Sequence, residues 1–444
     1  MSQETKVLIV TYYWPPAGGP GVQRWLKFAK YLKEFGITPV VVCPKNANYP
    51  LLDVALNQEI QEEIQVLSVP IFEPARMMNQ LIPEKSKSIS RGMVNTQNPS
   101  FLERILMSVR GHLFIPDTRI FWVKPTVKYL INYLAQHPEI KLVITTGPPH
   151  SVHLIGHKLK QSRAVKWMAD FRDPWTEIYY HKVLNLMGWA QRRHLSLEQK
   201  VLESADRILT TSQPTAASFQ WRTPRPVSVI TNGFDASDFE GLSNAESGSN
   251  DKFRITHVGT LMEPRNPLVL WQALANLIAN KKALKGLESF AQDLEIELTG
   301  GIASGVLDSI KNQGLSKQLV QWPNCSHDQA IKAMARGQLL LLSERNEADA
   351  HHIIPAKLFE YLALSIPILA LGPPKGAIEP ILKESQAGVY FVQGDLEGVE
   401  EYLYQAYQAY KKSAPHTKQH VSNLPYERRN LTKSLAAIIK EMTI

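Results

Sequence analysis

What this chain has little of narrows the field first. Cysteine occurs twice in 444 residues, at Cys43 and Cys325. Two distant thiols form neither a disulfide framework nor a zinc cluster, so a reducing compartment is expected. No run approaches the roughly 18 apolar residues of a membrane-spanning helix. The start, Met1-Ser2-Gln3-Glu4-Thr5-Lys6, passes straight into an apolar run without signal-peptide anatomy. The expectation is a soluble, cytoplasmic protein. Two phosphate-binding fingerprints are missing as well. The glycine loop Gly18-Gly19-Pro20-Gly21 lacks the Gly-x-Gly-x-x-Gly spacing, and the next strand ends Cys43-Pro44-Lys45 with no acid for a cofactor ribose. No Lys-Ser/Thr pair follows the glycines either. These absences argue against nicotinamide, flavin and Walker-type nucleotide chemistry, and no cofactor is expected.

What is present describes a two-domain α/β protein. Hydrophobic residues make up 44% and charged residues 20%, enough apolar mass for sizeable cores. The length suits two domains of about 200 residues each. Buried-type strands alternate with helices: 7–11, 39–43, 141–145, 165–169, 207–210 and 227–230 in the first half. In the second half they are 254–258, 294–298, 319–321, 338–342, 366–369 and 389–391. Between the halves, 241–251 is small, polar and aperiodic, as a linker is. Domains are therefore expected at 1–240 and 252–425, with a last helix over 426–444. The architecture is two Rossmann-like, doubly wound domains facing across a cleft, with ligands at the carboxyl ends of the strands.

The stretch from about 70 to 128 breaks this rhythm. It holds nine Lys or Arg against four Asp or Glu, a local charge of +5, interleaved with apolar clusters such as Met77-Met78 and Phe121-Trp122. A helical insertion touching an anionic membrane surface or a lipid-linked substrate fits this mixture, and so does a helical subdomain with a solvated basic face. The net charge of +8 favours anionic partners. The basic residues are dispersed rather than striped with aromatics, so nucleic acid is not expected.

Several residues carry candidate chemistry. Gly18 and Gly19 let backbone approach a ligand where a strand feeds a helix. His150 follows Gly147-Pro148-Pro149 at a strand's carboxyl end, placed to bond sugar hydroxyls or steady developing charge. Asp173, in Asp170-Phe171-Arg172-Asp173, is a candidate on the acceptor side as a base or binding group. Arg265 and Asn266, in Gly259-Thr260-Leu261-Met262-Glu263-Pro264-Arg265-Asn266, precede a helix, and the arginine can clamp a diphosphate. In His351-His352-Ile353-Ile354-Pro355-Ala356-Lys357-Leu358-Phe359-Glu360, Pro355 suits a first helical turn, and Lys357 and Glu360 share a face. That lysine beside a helix start attracts phosphate, and Glu360 is placed to take ribose hydroxyls. No Asp-x-Asp follows a strand, which argues against a metal site.

On the early glycine loop, Gly259 to Arg265, and Pro355-Ala356-Lys357-Leu358-Phe359-Glu360-Tyr361-Leu362, the chain resembles the GT-B glycosyltransferases. Within them it is similar to glycosyltransferase family 4, of the bacterial surface-polysaccharide type. The resemblance implies a retaining, metal-independent transferase that moves a sugar from a nucleotide-diphosphate sugar to a glycan or lipid-linked acceptor. It implies that Arg265 and Lys357 hold the diphosphate, that Glu360 contacts the ribose, and that the last helix crosses back to the first domain. Two departures stand out: Thr260 replaces the usual first basic residue, and His352 stands eight before Glu360, where a glutamate that contacts the donor sugar is expected. Alternatives are a nucleotide-sugar 2-epimerase of the same fold and a non-catalytic nucleotide-sugar-binding protein.

Overall fold

The computed structural model describes residues 5–73, 111–178, 181, 184, 186–240, 242, 251–280, 285–412 and 425–444. Residues 74–110, most of the basic insertion, and 243–250, most of the expected linker, lie outside the described residues. The chain divides into two compact units, Met1–Asn232 with Arg428–Ile444, and Gly233–Glu427.

The first unit is built on seven parallel strands: β1 Thr5–Thr11, β2 Ile37–Pro44, β3 Gln65–Val69, β4 Leu142–Gly147, β5 Lys166–Phe171, β6 Arg207–Thr210 and β7 Val227–Val229. Their order is β3-β2-β1-β4-β5-β6-β7. The middle strands are apolar along their length because both faces are covered, the rule for parallel sheets. Residues of opposite parity in β1 serve opposite cores: Leu8 and Val10 in one, Val7 and Ile9 in the other. The second core is completed by the helix Pro20–Leu32 and by the last helix, Arg428–Thr443, through Leu431, Leu435, Ala436 and Ile439.

The second unit repeats the plan with six parallel strands: β8 Phe253–Val258, β9 Leu294–Thr299, β10 Leu319–Trp322, β11 Leu339–Ser343, β12 Ile368–Gly372 and β13 Gly388–Val392. Their order is β10-β9-β8-β11-β12-β13. In each sheet the winding reverses once, between β1 and β4 in the first and between β8 and β11 in the second. Loops leaving the carboxyl ends on either side of such a reversal part from one another and leave a crevice for a ligand. Gly18-Gly19 and His150 belong to loops after β1 and β4, and Gly259 to Arg265 to the loop after β8. Glu344 and the helix Ala356–Leu364 follow β11.

Asp170 is part of the framework of the first unit. It is fully buried in β5, and both its oxygens are spent. Arg24 binds it through Nε at 3.2 Å and Nη2 at 2.9 Å, Trp25 Nε1 donates at 2.7 Å and Thr146 Oγ1 at 2.8 Å. This pair couples the helix Pro20–Leu32 to β5. Removing one partner of a buried pair strands the other charge, which costs about 3–5 kcal/mol. Arg24→Met is expected to lower the unfolding free energy by about 3 kcal/mol in urea titrations; a loss below about 1 kcal/mol means the pair does not hold this helix to the sheet.

Candidate functional site

In the second unit the loop after β8 is closed by backbone bonds. Gly259 N–H donates to Thr299 O at 2.6 Å, Leu261 N–H to Gly301 O at 3.0 Å and Ala303 N–H to Leu261 O at 3.0 Å. Gly259 has φ 116°, a left-handed value that glycine tolerates. The missing side chain matters more than the angle, because a Cβ there would collide with Nζ of Lys357. Lys357 reaches this point from the first turn of Ala356–Leu364, whose start has neither a side-chain cap nor an acidic residue. Pro355 stands just outside this helix as its cap residue rather than inside the first turn. The helix is fixed to the sheet by the hydroxyl of Tyr361, which donates to Leu341 O at 3.3 Å and accepts from Val258 N–H at 3.4 Å.

Arg265 ends a short 3-10 turn, Glu263–Arg265, and its carbonyl accepts from Ser343 Oγ at 2.6 Å. Lys357 and Arg265 are near enough for each to bear on the same neighbours. Burial, then Lys357, pushes His257 down to about 4, with Arg265 adding to the effect. Burial also pushes Lys357 down, against the pull of Glu360, and Arg265 pushes it further. Among the described residues neither the guanidinium of Arg265 nor the ammonium of Lys357 makes a hydrogen bond or an ion pair. Two cations thus act on one another, largely shielded from water, with Glu360 acting on the lysine and Glu344 on the arginine from nearby but no carboxylate ion-paired to either among the described residues. Glu360 is half-buried three residues beyond Lys357.

Other residues singled out in the sequence take different places. Asn266 has both ends of its amide engaged, Nδ2 donating to Ser309 Oγ at 2.8 Å and Oδ1 accepting from Trp271 Nε1 at 2.7 Å. His352 closes the 3-10 turn Ala348–His352, its ring 4.1 Å from that of His351. Sequence reasoning passed over one residue of the same loops, Glu344. It is 4% exposed and its carboxyl has no hydrogen bond or ion pair among the described residues. Burial pushes it up to about 8, although Arg265 and Arg345 pull the other way. The only sequence signal was its position directly after β11.

In the first unit, Gly18 N–H donates to Leu51 O at 3.0 Å and Asp53 N–H to Pro16 O at 2.9 Å, so the glycine loop is clasped by the 51–53 segment. Gly19 has φ 94° and caps the helix Pro20–Leu32, which likewise lacks an acidic first turn. Arg172 lies against Gly21, where a Cβ would meet its guanidinium, and donates through Nε to Gly147 O at 3.3 Å and through Nη2 to Pro148 O. Asp173 is half-buried with no hydrogen bond or ion pair among the described residues, and burial raises its carboxyl despite Arg172 beside it. His150 is 5% exposed, and neither ring nitrogen has a hydrogen-bond partner among the described residues. Its ring stacks on Trp175 at 5.1 Å and an interplanar angle of 4°. Burial first, then His153 and Arg172, hold it well below the usual imidazole range, so it is neutral at pH 7. His153 behaves differently, because Nδ1 meets Thr145 Oγ1 at 2.9 Å. Among the described residues no three His, Cys, Asp or Glu side chains group to hold a metal ion.

No family model matches the chain, and no curated protein does. Solved structures match over its whole length. A sucrose-phosphate synthase from Thermosynechococcus elongatus is similar at 12% identity and TM-score 0.65, over 99% of each chain. Anabaena HepE, solved in complex with UDP-glucose, is similar at 13% identity and TM-score 0.61, over 98% of this chain and 99% of that one. The lipopolysaccharide outer core galactosyltransferase WaaB is similar at 13% identity and TM-score 0.56, with the same coverage. An epimerase fits the same frame: a putative UDP-N-acetylglucosamine 2-epimerase from Listeria monocytogenes, at 11% identity and TM-score 0.52, over 99% of this chain and 96% of that one. The likeness is one of fold. The chain has the α/β GT-B fold of these enzymes, two parallel sheets with their helices.

The raised carboxyl of Glu344 gives a stability test. Its unfolded value is about 4.3. Between that pH and about 8 the native state keeps a proton that the unfolded state has lost. The stability present below pH 4 is therefore lost as pH rises through 8. Glu344→Gln cannot ionise, so it is expected to melt like the wild type near pH 4.5 and to gain on it by about 1.4 kcal/mol for each pH unit between there and pH 8. A difference that does not change with pH contradicts the raised carboxyl.

Proposed function

We propose that this chain is a retaining glycosyltransferase of the family 4 kind that needs no metal and uses a nucleotide-diphosphate sugar as donor. The observation that carries the reading is a pair of cations that act on one another and make no hydrogen bond or ion pair among the described residues, Lys357 against Gly259 and Arg265 in the loop after β8. A diphosphate supplies the missing negative charge, and uncapped helical N–H groups beside Lys357 add to the attraction. The known structures of this fold support the donor class, since one was solved with UDP-glucose.

The chemistry follows from charge. As transfer begins, the bond between the anomeric carbon and the diphosphate oxygen breaks and its electron pair leaves with the diphosphate. Arg265 and Lys357, fixed and largely out of water, stabilise that charge more strongly than solvent does, the office a divalent cation fills elsewhere. The acceptor hydroxyl oxygen forms the new bond on the face the diphosphate leaves, and its proton passes to the departing phosphate oxygen. Glu360 receives the ribose hydroxyls. In the first unit, His150 serves the sugar as a neutral hydrogen-bonding group and Asp173 serves the acceptor, with Gly18 and Gly19 giving backbone access. Asn266 and His352 complete the substrate-binding candidates: Asn266, its amide held by Ser309 and Trp271, supports the loop that carries Arg265, and His352 stands where a sugar-contacting glutamate is usual.

The acceptor is a glycan or a lipid-linked glycan, in keeping with a surface-polysaccharide role. The basic and apolar composition of 70–128 supports work at an anionic membrane surface on the cytoplasmic side. No helix among the described residues is long and apolar enough to cross a membrane.

A thermal-shift panel of UDP-, GDP-, ADP- and TDP-sugars is expected to give one class that raises the melting temperature in proportion to the logarithm of its concentration. Lys357→Ala and Glu360→Ala are expected to abolish binding of that nucleotide in calorimetry, and near-normal affinity in either variant contradicts the assignment. Transfer is expected to persist in excess EDTA; its loss, restored by a divalent cation, rules out the metal-free mechanism. Turnover of the donor without any acceptor, giving an epimerised sugar, selects the epimerase instead.

A further inference from the structure

Exposed apolar side chains are ordinary when scattered and informative when contiguous. The first unit carries a contiguous set. Phe72, Leu113, Phe121, Met187 and Trp189 are each between 43% and 71% exposed. They come from separate stretches of the chain, and contacts join them into one ridge. The Phe121 ring meets Phe72 edge-on at 5.7 Å and Phe114 at 6.0 Å. Two residues before Phe114, the His112 ring lies 5.6 Å from that of Trp189, and its Nε2 accepts from Met187 N–H at 2.8 Å. Leu113 stands between these two junctions.

The rim of the ridge is positive. Lys124 follows Phe121 by one turn of the helix Ile120–Gln136, and Arg193 follows Trp189 by one turn of the helix Gly188–Ser204. The guanidinium of Arg192 folds back toward Gly188, where a Cβ would stand 3.5 Å from Nη1. Lys124, Arg192 and Arg193 are exposed and make no hydrogen bond or ion pair among the described residues. The carboxylates that could offset them are engaged elsewhere. Residues 111–136 contain one acid, Asp117, and 187–200 one, Glu198. Asp117 accepts from the N–H and the hydroxyl of Ser151, each at 2.8 Å. Glu198 is buried, accepting from Trp175 N–H at 3.1 Å and pairing with Arg222 at 2.7 Å. Glu73, beside Phe72, is taken by Tyr12 and Arg119.

We propose that this ridge seats the first unit on an anionic membrane. The five apolar side chains enter the boundary between headgroups and acyl chains, and Lys124, Arg192 and Arg193 lie against lipid phosphates. An apolar strip ending in tryptophan, with unpaired cations beside it, matches that layered boundary. The ridge draws on 187–193, a stretch whose sequence carries no such signal by itself. It rests on the reading of a lipid-linked acceptor for its role. Ser151 opens the helix next to His150, so the bonds from Asp117 set the ridge beside the carboxyl edge where the acceptor is proposed to bind.

The full-length chain is sedimented with vesicles of phosphatidylcholine alone, and with a third of that lipid replaced by phosphatidylglycerol. Wild type is expected to bind the anionic vesicles at least about tenfold more tightly, a margin that high salt removes. Arg192→Gln with Arg193→Gln is expected to weaken that binding about thirtyfold, and Leu113→Ser with Trp189→Ser about tenfold or more. Brominated acyl chains are expected to quench a share of wild-type tryptophan emission that Trp189→Phe lacks. The phenylalanine keeps an apolar ring and guards against a folding defect. Wild type that does not sediment with anionic vesicles overturns the proposal, as do ridge variants that bind them like wild type. So does a wild-type dimer that the ridge variants split, which gives the ridge to a second copy. Lys357→Ala is expected to bind vesicles normally. Vesicle binding by a wild type that takes no nucleotide sugar removes the transferase reading and leaves the ridge; nucleotide-sugar binding without vesicle binding removes the ridge alone.

Discussion

Two cations that act on one another, neither of them in a hydrogen bond or an ion pair among the described residues, are the constraint around which the loops of the second unit are arranged. At a protein-like dielectric near 20, unit charges several ångströms apart repel by about 2–4 kcal/mol. Such an arrangement survives only where the backbone leaves the side chains little choice. Gly259 supplies the space for the lysine, and the bonds from Gly259 to Thr299 and from Leu261 to Gly301 fix the loop that leads to Arg265. Ser343 holds the carbonyl of Arg265, and Tyr361 fastens the lysine helix to β8 and β11. Each of these contacts is uncharged, so none relieves the repulsion.

The first unit has solved its own electrostatics internally. Arg24 is spent on Asp170 and Arg172 on the carbonyls of Gly147 and Pro148. What remains open at the carboxyl ends of its strands is different in kind: a neutral histidine against Trp175, a raised carboxyl at Asp173, and glycine backbone. Under the proposed function, anion binding falls to the second unit and uncharged hydroxyls to the first. This division comes from which charges the two sheets neutralise internally.

Much of this was legible in the sequence. Apolar runs bounded by glycine or proline mark the central strands because a parallel sheet buries both faces, and restarting the pattern after a polar linker marks the second sheet. The edge strand β3 escaped notice because half-exposed Gln65–Val69 carries no such run. Glycine placed between a strand and a helix marked the loops after β1 and β8, and the spacing of Lys357 and Glu360 placed both on one helix. Partnerships across the sequence were not legible. Nothing local reveals that Arg24 neutralises Asp170, that Ser309 and Trp271 occupy the amide of Asn266, or that Glu344 lacks a partner. These depend on which strands become neighbours, and that order is a property of the whole sheet.

The central claim is that one diphosphate bridges two particular cations. The most direct measurement is a crystal structure of the chain with a bound nucleoside diphosphate. The account predicts that Nζ of Lys357 and a guanidinium nitrogen of Arg265 both lie about 3 Å from diphosphate oxygens. A diphosphate seated elsewhere, or touching only one of the two, contradicts it.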